Sequence, residues 1–337
     1  MNISIRITRI CGQIHPIGTM IIHMTAPGHN GRGENMIYYT RDQIIELTSR
    51  WKGERFEDGR PRVPDYLLEK LRTMTIEEIW LPLFLKDYKF QFEGEMKKLH
   101  DELKLTGRAV TAVFMPTRPD LMEAVRREGD ARGYKGTCNQ WVVDHLQEGD
   151  VVVADMFDKV WNGTFVGGNL TTAINVRTRT GGAVIWGGVR DIEQMQKIDT
   201  QVYYRGTDPT PIRECLMTSY NGPAKIGKAV CMPGDIVMGT TSGILFIPAY
   251  LVEELVNSAE KSHAKDIFGF AMLEQGIYTA AEIDSTVWPE EMVDKMINFI
   301  EHDSSCEKYR GLDWSLEIDA ARGNQEAVDE LMKGYLV

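Results

Sequence analysis

The chain has 337 residues, enough for one large domain with additions or for two domains. Its formal charge of −11 has the wrong sign for a general grip on nucleic-acid phosphates, which excludes nucleic acid as a non-specific partner. A small anionic substrate is not excluded, because a local field outweighs net charge. The five cysteines form no CxxC pair and the seven histidines no HExxH pattern, which speaks against a disulfide framework or a zinc site and for a reducing, cytoplasmic compartment.

No apolar run is long enough to span a bilayer, so no membrane partner is expected. Residues 1–24 are interrupted by Arg9, Gln13 and His15 and show no small-residue cleavage site, so they read as an over-extended N-terminus ahead of Met24 or Met36 rather than a secretory leader. Residues 1–35, Gly- and Asn-rich from position 25, read as a disordered lead-in, and residues 36–106 as an N-terminal helical segment. Within that segment, Thr40 to Trp51 predicts a short helix and the polar stretch Glu54 to Pro64, with two prolines, a linker. Asp65 to Arg72 predicts a second helix. Thr75 and Glu78 form a capping box for a third, running to about Leu85 with Pro82 inside.

A core is expected over residues 107–250. Gly107 to Met115 is the first clear strand, alternating and rich in small and β-branched residues. Arg118-Pro119-Asp120 reads as a turn opening a helix to Glu128. Val151 to Ala154 is a continuous apolar run, the mark of a strand buried on both faces. Val202 to Tyr204 and Gly243 to Pro248 are further strands, and Pro233-Gly234-Asp235-Ile236-Val237 echoes the earlier Gly149-Asp150-Val151-Val152 turn and strand. Residues 251–337 read as a C-terminal helical extension, with helices over Leu251–Ser262, Pro289–His302 and Gln325–Lys333, and with His263 and His302 solvated.

The chemistry concentrates between Gly163 and Asp191. A glycine-rich turn, Gly167-Gly168, opens a helix with Asn169 as its N-cap and Leu170, Ala173 and Ile174 on its apolar face. Such a turn presents free N–H groups and the positive end of a helix dipole, which suits an anion. Ala183 to Trp186 then reads as a buried strand, and Gly187-Gly188 as a tight turn placing Arg190 and Asp191 at the strand's carboxyl end. In α/β folds that end is where ligands usually sit. Asp155, Asp158 and Lys159, and the stretch Arg205 to Asp208, follow neighbouring strands and read first as loops within reach of the same rim. The spacing of Gly163, Gly167 and Gly168 is wrong for a dinucleotide or methyl-donor loop, and neither a Walker A motif nor a GxSxG elbow occurs.

These landmarks resemble the RraA-like family, which includes class II 4-hydroxy-4-methyl-2-oxoglutarate aldolases and the regulator of ribonuclease E activity A. The matching runs are GRAVTA (107–112), GDVVVAD (149–155), GGNL (167–170), GGAVIWGGVRD (181–191), YYRG (203–206), PGDIV (233–237) and GILFIP (243–248). Their order and spacing cover about residues 62–255, and the two ends resemble a longer branch of the family. The resemblance implies an α/β fold, a swivelling β/β/α sandwich core, here with an added N-terminal segment and C-terminal helices, forming a homotrimer or hexamer.

Carried over position by position, Gly168, Asn169, Leu170 and Thr171 would bind a substrate carboxylate, largely through backbone N–H. Arg190 would hold a 2-oxo or enolate oxygen, and Asp191 would ligate Mg²⁺ or Mn²⁺ through a mostly hydrated shell. The implied function is a metal-dependent lyase acting on a small 2-oxo acid through a pyruvate-like enolate, as an aldolase or oxaloacetate decarboxylase. Two departures bear on the substrate. Asn169 stands where aldolase members usually carry Asp or Glu, and Gly239-Thr240 where an Ala-Asp pair is common. The acidic residue that a neighbouring subunit contributes in some members has no clear counterpart, Glu274 being the nearest candidate. The alternatives are a lyase for a sugar-derived keto acid and a non-catalytic regulatory binding protein. The regulator itself lacks the aspartate of the Arg-Asp pair, so its presence here favours the enzyme.

Overall fold

The computed structural model describes residues 37–333, so the expected lead-in at 1–35 lies outside the described residues. The chain opens with α1 (Arg41–Leu47), α2 (Asp65–Arg72) and α3 (Ile76–Leu85), then two short strands, β1 (Phe92–Glu93) and β2 (Lys97–Lys98). The core follows: β3 (Leu105–Pro116), α4 (Pro119–Ala131), α5 (Cys138–Asp144), β4 (Asp150–Thr164), α6 (Gly168–Thr178), β5 (Gly182–Val189), α7 (Ile192–Met195) and β6 (Gln201–Thr207). After it come β7 (Cys215–Tyr220), the hairpin β8 (Ala224–Ile226) and β9 (Ala229–Cys231), β10 (Ile236–Thr240) and β11 (Gly243–Ile247). The tail is α8 (Val252–Glu274), α9 (Ala280–Ile283), α10 (Glu290–His302), α11 (Ser315–Ala321) and α12 (Gln325–Met332).

The main sheet runs β1-β11-β10-β3-β4-β5-β6-β2, with β7 paired to the outer half of β3. Its centre, β3 to β6, is parallel, and the strands around it are antiparallel. The apolar run of β4 is explained by burial on two sides. Val152, Ala154 and Met156 enter the core beneath α5 and α6, whereas Val151 and Val153 enter a second cluster beneath the β8–β9 hairpin. The fold is thus mixed α/β with a large mixed sheet and extra C-terminal helices, as expected.

Three expectations need correction. The 54–64 stretch is more than a linker: Arg60 is 1% exposed and its guanidinium meets Asp150, which is fully buried, at 2.8 and 3.2 Å. A local reading of polarity and proline could not see a partner 90 positions away. The helix predicted to end at Ser262 runs on to Glu274. Its first half packs Leu255, Val256 and Ala259 against α2, α3 and β11, and its second half packs Ala264, Phe268 and Met272 against α10. The polar residues between these two contacts imitate a helix end. Among them, His263 is not simply solvated, because its Nδ1 lies 2.6 Å from Glu78 Oε1, tying α8 to α3.

Candidate functional site

Gly187 and Gly188 do not turn. They continue β5, and β4 bulges over them: its register against β5 slips between Asp155 and Lys159 and again between Lys159 and Thr164. A Cβ at Gly187 would sit 2.8 Å from the Lys159 carbonyl oxygen, and one at Gly188 would sit 2.9 Å from that of Val160. These glycines therefore serve close backbone approach rather than reversal. The outcome for Arg190 and Asp191 is the expected one, since both follow directly on the carboxyl end of β5.

Three strand ends are laced together there. Arg190 N–H donates to the Val166 carbonyl (3.0 Å), Phe165 N–H to that of Gly188 (2.9 Å), and Asp208 N–H to that of Val189 (3.2 Å). The Thr164 hydroxyl adds a bond to the Thr210 carbonyl (2.6 Å). The start of α6, the end of β5 and the loop after β6 are thereby fixed in one rim.

Asp191 has φ +59° and ψ +37°, the left-handed region that Asp and Asn tolerate better than other side chains. It precedes α7, but its side chain does not cap that helix. The carboxylate turns back to α6, where Oδ2 accepts the Gly168 N–H at 3.3 Å and lies 3.5 Å from the Arg190 guanidinium. Arg190 and Asp191 are 36% and 28% exposed, open enough for a ligand to reach both.

The N-cap of α6 is Gly167, so Asn169 sits one residue inside the helix rather than at its cap. A Cβ at Gly167 would fall 2.4 Å from Asp191 Oδ2, which explains why glycine and not an Asn-type cap occupies the position. Thr171 N–H bonds to the Gly167 carbonyl (3.0 Å), and its side chain is buried. Gly168 N–H is held by Asp191. Within the first turn of α6, the N–H groups without an acceptor among the described residues are those of Asn169 and Leu170, and they are the pair the helix start offers to an anion.

The other flagged residues are engaged elsewhere. Asp155 accepts from Phe157 N–H, and burial raises its pKa. Asp158 pairs with Arg205 (2.9 Å), Lys159 with Glu214 (3.5 Å) and Arg118 with Asp120 (2.6 Å). Arg205 also covers the Trp186 ring at 4.4 Å. Glu274 is exposed at the end of α8. Sequence reading missed Gln194, whose amide oxygen would lie 2.7 Å from a Cβ on Gly168; it borders the turn by following Asp191 in α7, with no signal of its own.

The family model described as RraA-like, Aldolase/RraA, matches residues 74–246, just over half of the chain. This chain belongs to the RraA-like family. It is 25% identical over 118 residues to a Halalkalibacterium halodurans protein named "Putative 4-hydroxy-4-methyl-2-oxoglutarate aldolase", covering 35% of this chain and 55% of that one. It is 24% identical over 193 residues to Protein DlpA of Legionella pneumophila, covering 57% of this chain and 28% of that one. The chain thus spans about a quarter to about half the length of these curated relatives. Among solved structures it is similar to Streptomyces coelicolor RraAS2, described as an unusual member of the RNase ES inhibitor RraA protein family. The TM-score is 0.52 at 24% identity, covering 62% of this chain and 97% of that one, which shows the shared fold.

Among the described residues no three His, Cys, Asp or Glu side chains converge on a point where they could cage an ion. Of the rim's carboxylates, Asp208 accepts from Thr210, whereas Asp191 Oδ1 has no protein partner among the described residues. A small hard cation that keeps most of its waters and takes one or two carboxylates fits that donor set. No helix among the described residues is long and apolar enough to cross a membrane.

Proposed function

We propose that this RraA-like protein is a divalent-metal-dependent lyase that cleaves a carbon–carbon bond of a small 2-oxo acid through a pyruvate-like enolate. The observation that carries the reading is the meeting of a guanidinium, a carboxylate with an open oxygen and two unclaimed helix-start N–H groups at the carboxyl ends of parallel strands. The similarity to a protein named for aldolase activity supports it.

In this reading the Asn169 and Leu170 N–H groups bind the substrate carboxylate, and Gly168 keeps the approach clear. Arg190 holds the 2-oxo oxygen. As the bond breaks, negative charge gathers on that oxygen, and a fixed guanidinium there stabilises it before any solvent must reorganise. The Arg190–Asp191 separation of 3.5 Å is loose for an ion pair and leaves the guanidinium free to turn to substrate. Asp191 would hold Mg²⁺ or Mn²⁺, and such an ion supplies further positive charge where the oxyanion develops. Retro-aldol cleavage and oxaloacetate decarboxylation share the enolate, so one rim serves both. Asn169 in place of an acid lowers the negative charge beside Asp191 and admits a different keto acid, a sugar-derived one included. Exposed Phe157 and Trp161 on the β4 bulge give an apolar surface suited to contact with further copies of the chain, in a trimer or hexamer.

The test is Asp191→Asn, chosen because Asn tolerates the left-handed backbone. Pyruvate release should fall at least a hundredfold while circular dichroism stays unchanged. A folded variant with full activity overturns the role given to Asp191, and a folded wild type that releases no pyruvate leaves the regulatory, binding-protein alternative.

A further inference from the structure

A cavity of about 330 Å³ lies away from the Arg190–Asp191 rim, between the turn that follows α1 and the turn that follows β11. One wall is built by Leu47 to Trp51 and Pro61, residues ahead of the family match at 74–246. The opposite wall is Val230, Met232 and Pro248, and the aromatic rings of Trp51, Tyr88 and Tyr250 complete it. This volume is at the small end of the range for small-molecule sites.

Nearly every polar group at the cavity is already paired. The Tyr88 and Tyr250 hydroxyls bond to each other at 2.7 Å, and Arg50 donates to Tyr250 at 2.5 Å. Gln91 Nε2 donates to the Val230 and Phe246 carbonyls. Thr48 is bonded to Ile44 and Arg55. Asp235 differs. It is 5% exposed, one carboxylate oxygen takes the Met232 N–H at 2.8 Å, and the other has no protein donor among the described residues. No ion pair to it exists among the described residues. An acceptor left open in an apolar, aromatic-walled cavity calls for a donor, and a cation satisfies a buried carboxylate best.

We infer that this cavity is a second binding site, for a small aromatic primary amine whose ammonium group is held by Asp235. The flat aromatic and proline walls take the ring, and the buried carboxylate takes the ammonium. Arg50, exposed at the mouth and lying 5.2 Å over the Tyr250 ring, repels a second positive charge there, so the site selects monoamines over diamines. The inference is independent of the lyase reading, because it uses none of the rim residues.

The experiment is calorimetric titration of the intact protein with phenethylamine, with 2-phenylethanol as the uncharged isostere. Saturable binding of the amine is expected, at least tenfold tighter than that of the alcohol. Asp235→Asn should weaken it at least tenfold while keeping an acceptor for Met232 N–H. Val230→Trp, at a partly exposed position of the wall, should abolish it by filling the cavity with Asp235 intact. The inference is overturned if the wild type takes up no phenethylamine at millimolar concentration. Equal affinity for the alcohol, or undiminished binding by both variants, overturns it as well.

Discussion

The Asp191 carboxylate accepts the Gly168 backbone N–H at 3.3 Å across two elements, instead of capping the helix it precedes. The left-handed backbone at Asp191 is what aims it there, and the missing side chain at Gly167 is what makes room. A conformation that costs on the order of 1 kcal/mol is held where it places a charged group beside an anion-ready helix start.

Gly167→Ala tests that arrangement. Gly167 has φ −141°, which alanine adopts freely, so the backbone itself is not strained by the change. The new methyl would lie 2.4 Å from Asp191 Oδ2 and 2.9 Å from Arg190 Cγ, and the pair must move. A drop of ten- to a hundredfold in kcat/KM for pyruvate release is expected, with Tm lowered by only a few degrees, as read by steady-state kinetics and thermal melting.

Asn169→Asp would place an acid in the helix start proposed to bind the substrate. It adds negative charge in the first turn of α6, favourable to the helix dipole, and beside Asp191, favourable to a divalent cation. Titration with Mn²⁺ should show roughly tenfold tighter binding than in the wild type. Unchanged affinity would mean that position 169 does not face the ion.

Burial pushes the Asp235 carboxyl up to about 7, well above its unfolded value near 3.8. The titratable groups that face it, Cys231 and Tyr88, are themselves pushed up by burial and stay neutral in this range. Between these two values the folded state holds a proton that the unfolded chain has lost. The stabilisation is therefore complete below about pH 4 and is lost as pH rises through about 7, at up to about 1.4 kcal/mol per pH unit. Urea denaturation at pH 5 and pH 8 should show the wild type losing a few kcal/mol that Asp235→Asn does not lose. Equal pH dependence in both proteins would remove Asp235 as the cause.

Arg60 and Asp150 form a buried pair that ties the 54–64 stretch to the start of β4. Asp150→Asn leaves Arg60 with Asp58 alone, at 2.7 Å, so the loss should be about 1.5–3 kcal/mol in denaturant unfolding, the worth of charge-assisted hydrogen bonds. A loss under 1 kcal/mol would show that the pair is dispensable.

The parallel centre was legible because its strands are buried on both faces and read as apolar runs, as Val151 to Ala154 does. The rim was legible because Arg190-Asp191 follows such a run directly. What failed were residues whose role is set by distant partners. Gly187 and Gly188 signal a turn by type, but their neighbours are the β4 backbone at Lys159 and Val160. The 54–64 stretch read as a linker because Asp150, the partner of Arg60, is far away in sequence. Two-residue strands such as β1 and β2 carry too little pattern to be seen, since their pairing to β11 and β6 is what defines them. The cavity at Asp235 was hidden for the same reason: its walls come from five separate stretches of chain.

The most direct measurement is pyruvate release from oxaloacetate and from 4-hydroxy-4-methyl-2-oxoglutarate, run with Mg²⁺, with Mn²⁺ and with EDTA. A metal-dependent lyase should turn over at least one substrate with either metal, with activity abolished by EDTA and restored by adding the metal back. Turnover that persists undiminished in EDTA, or none with either substrate from a folded protein that binds neither metal, would contradict that reading.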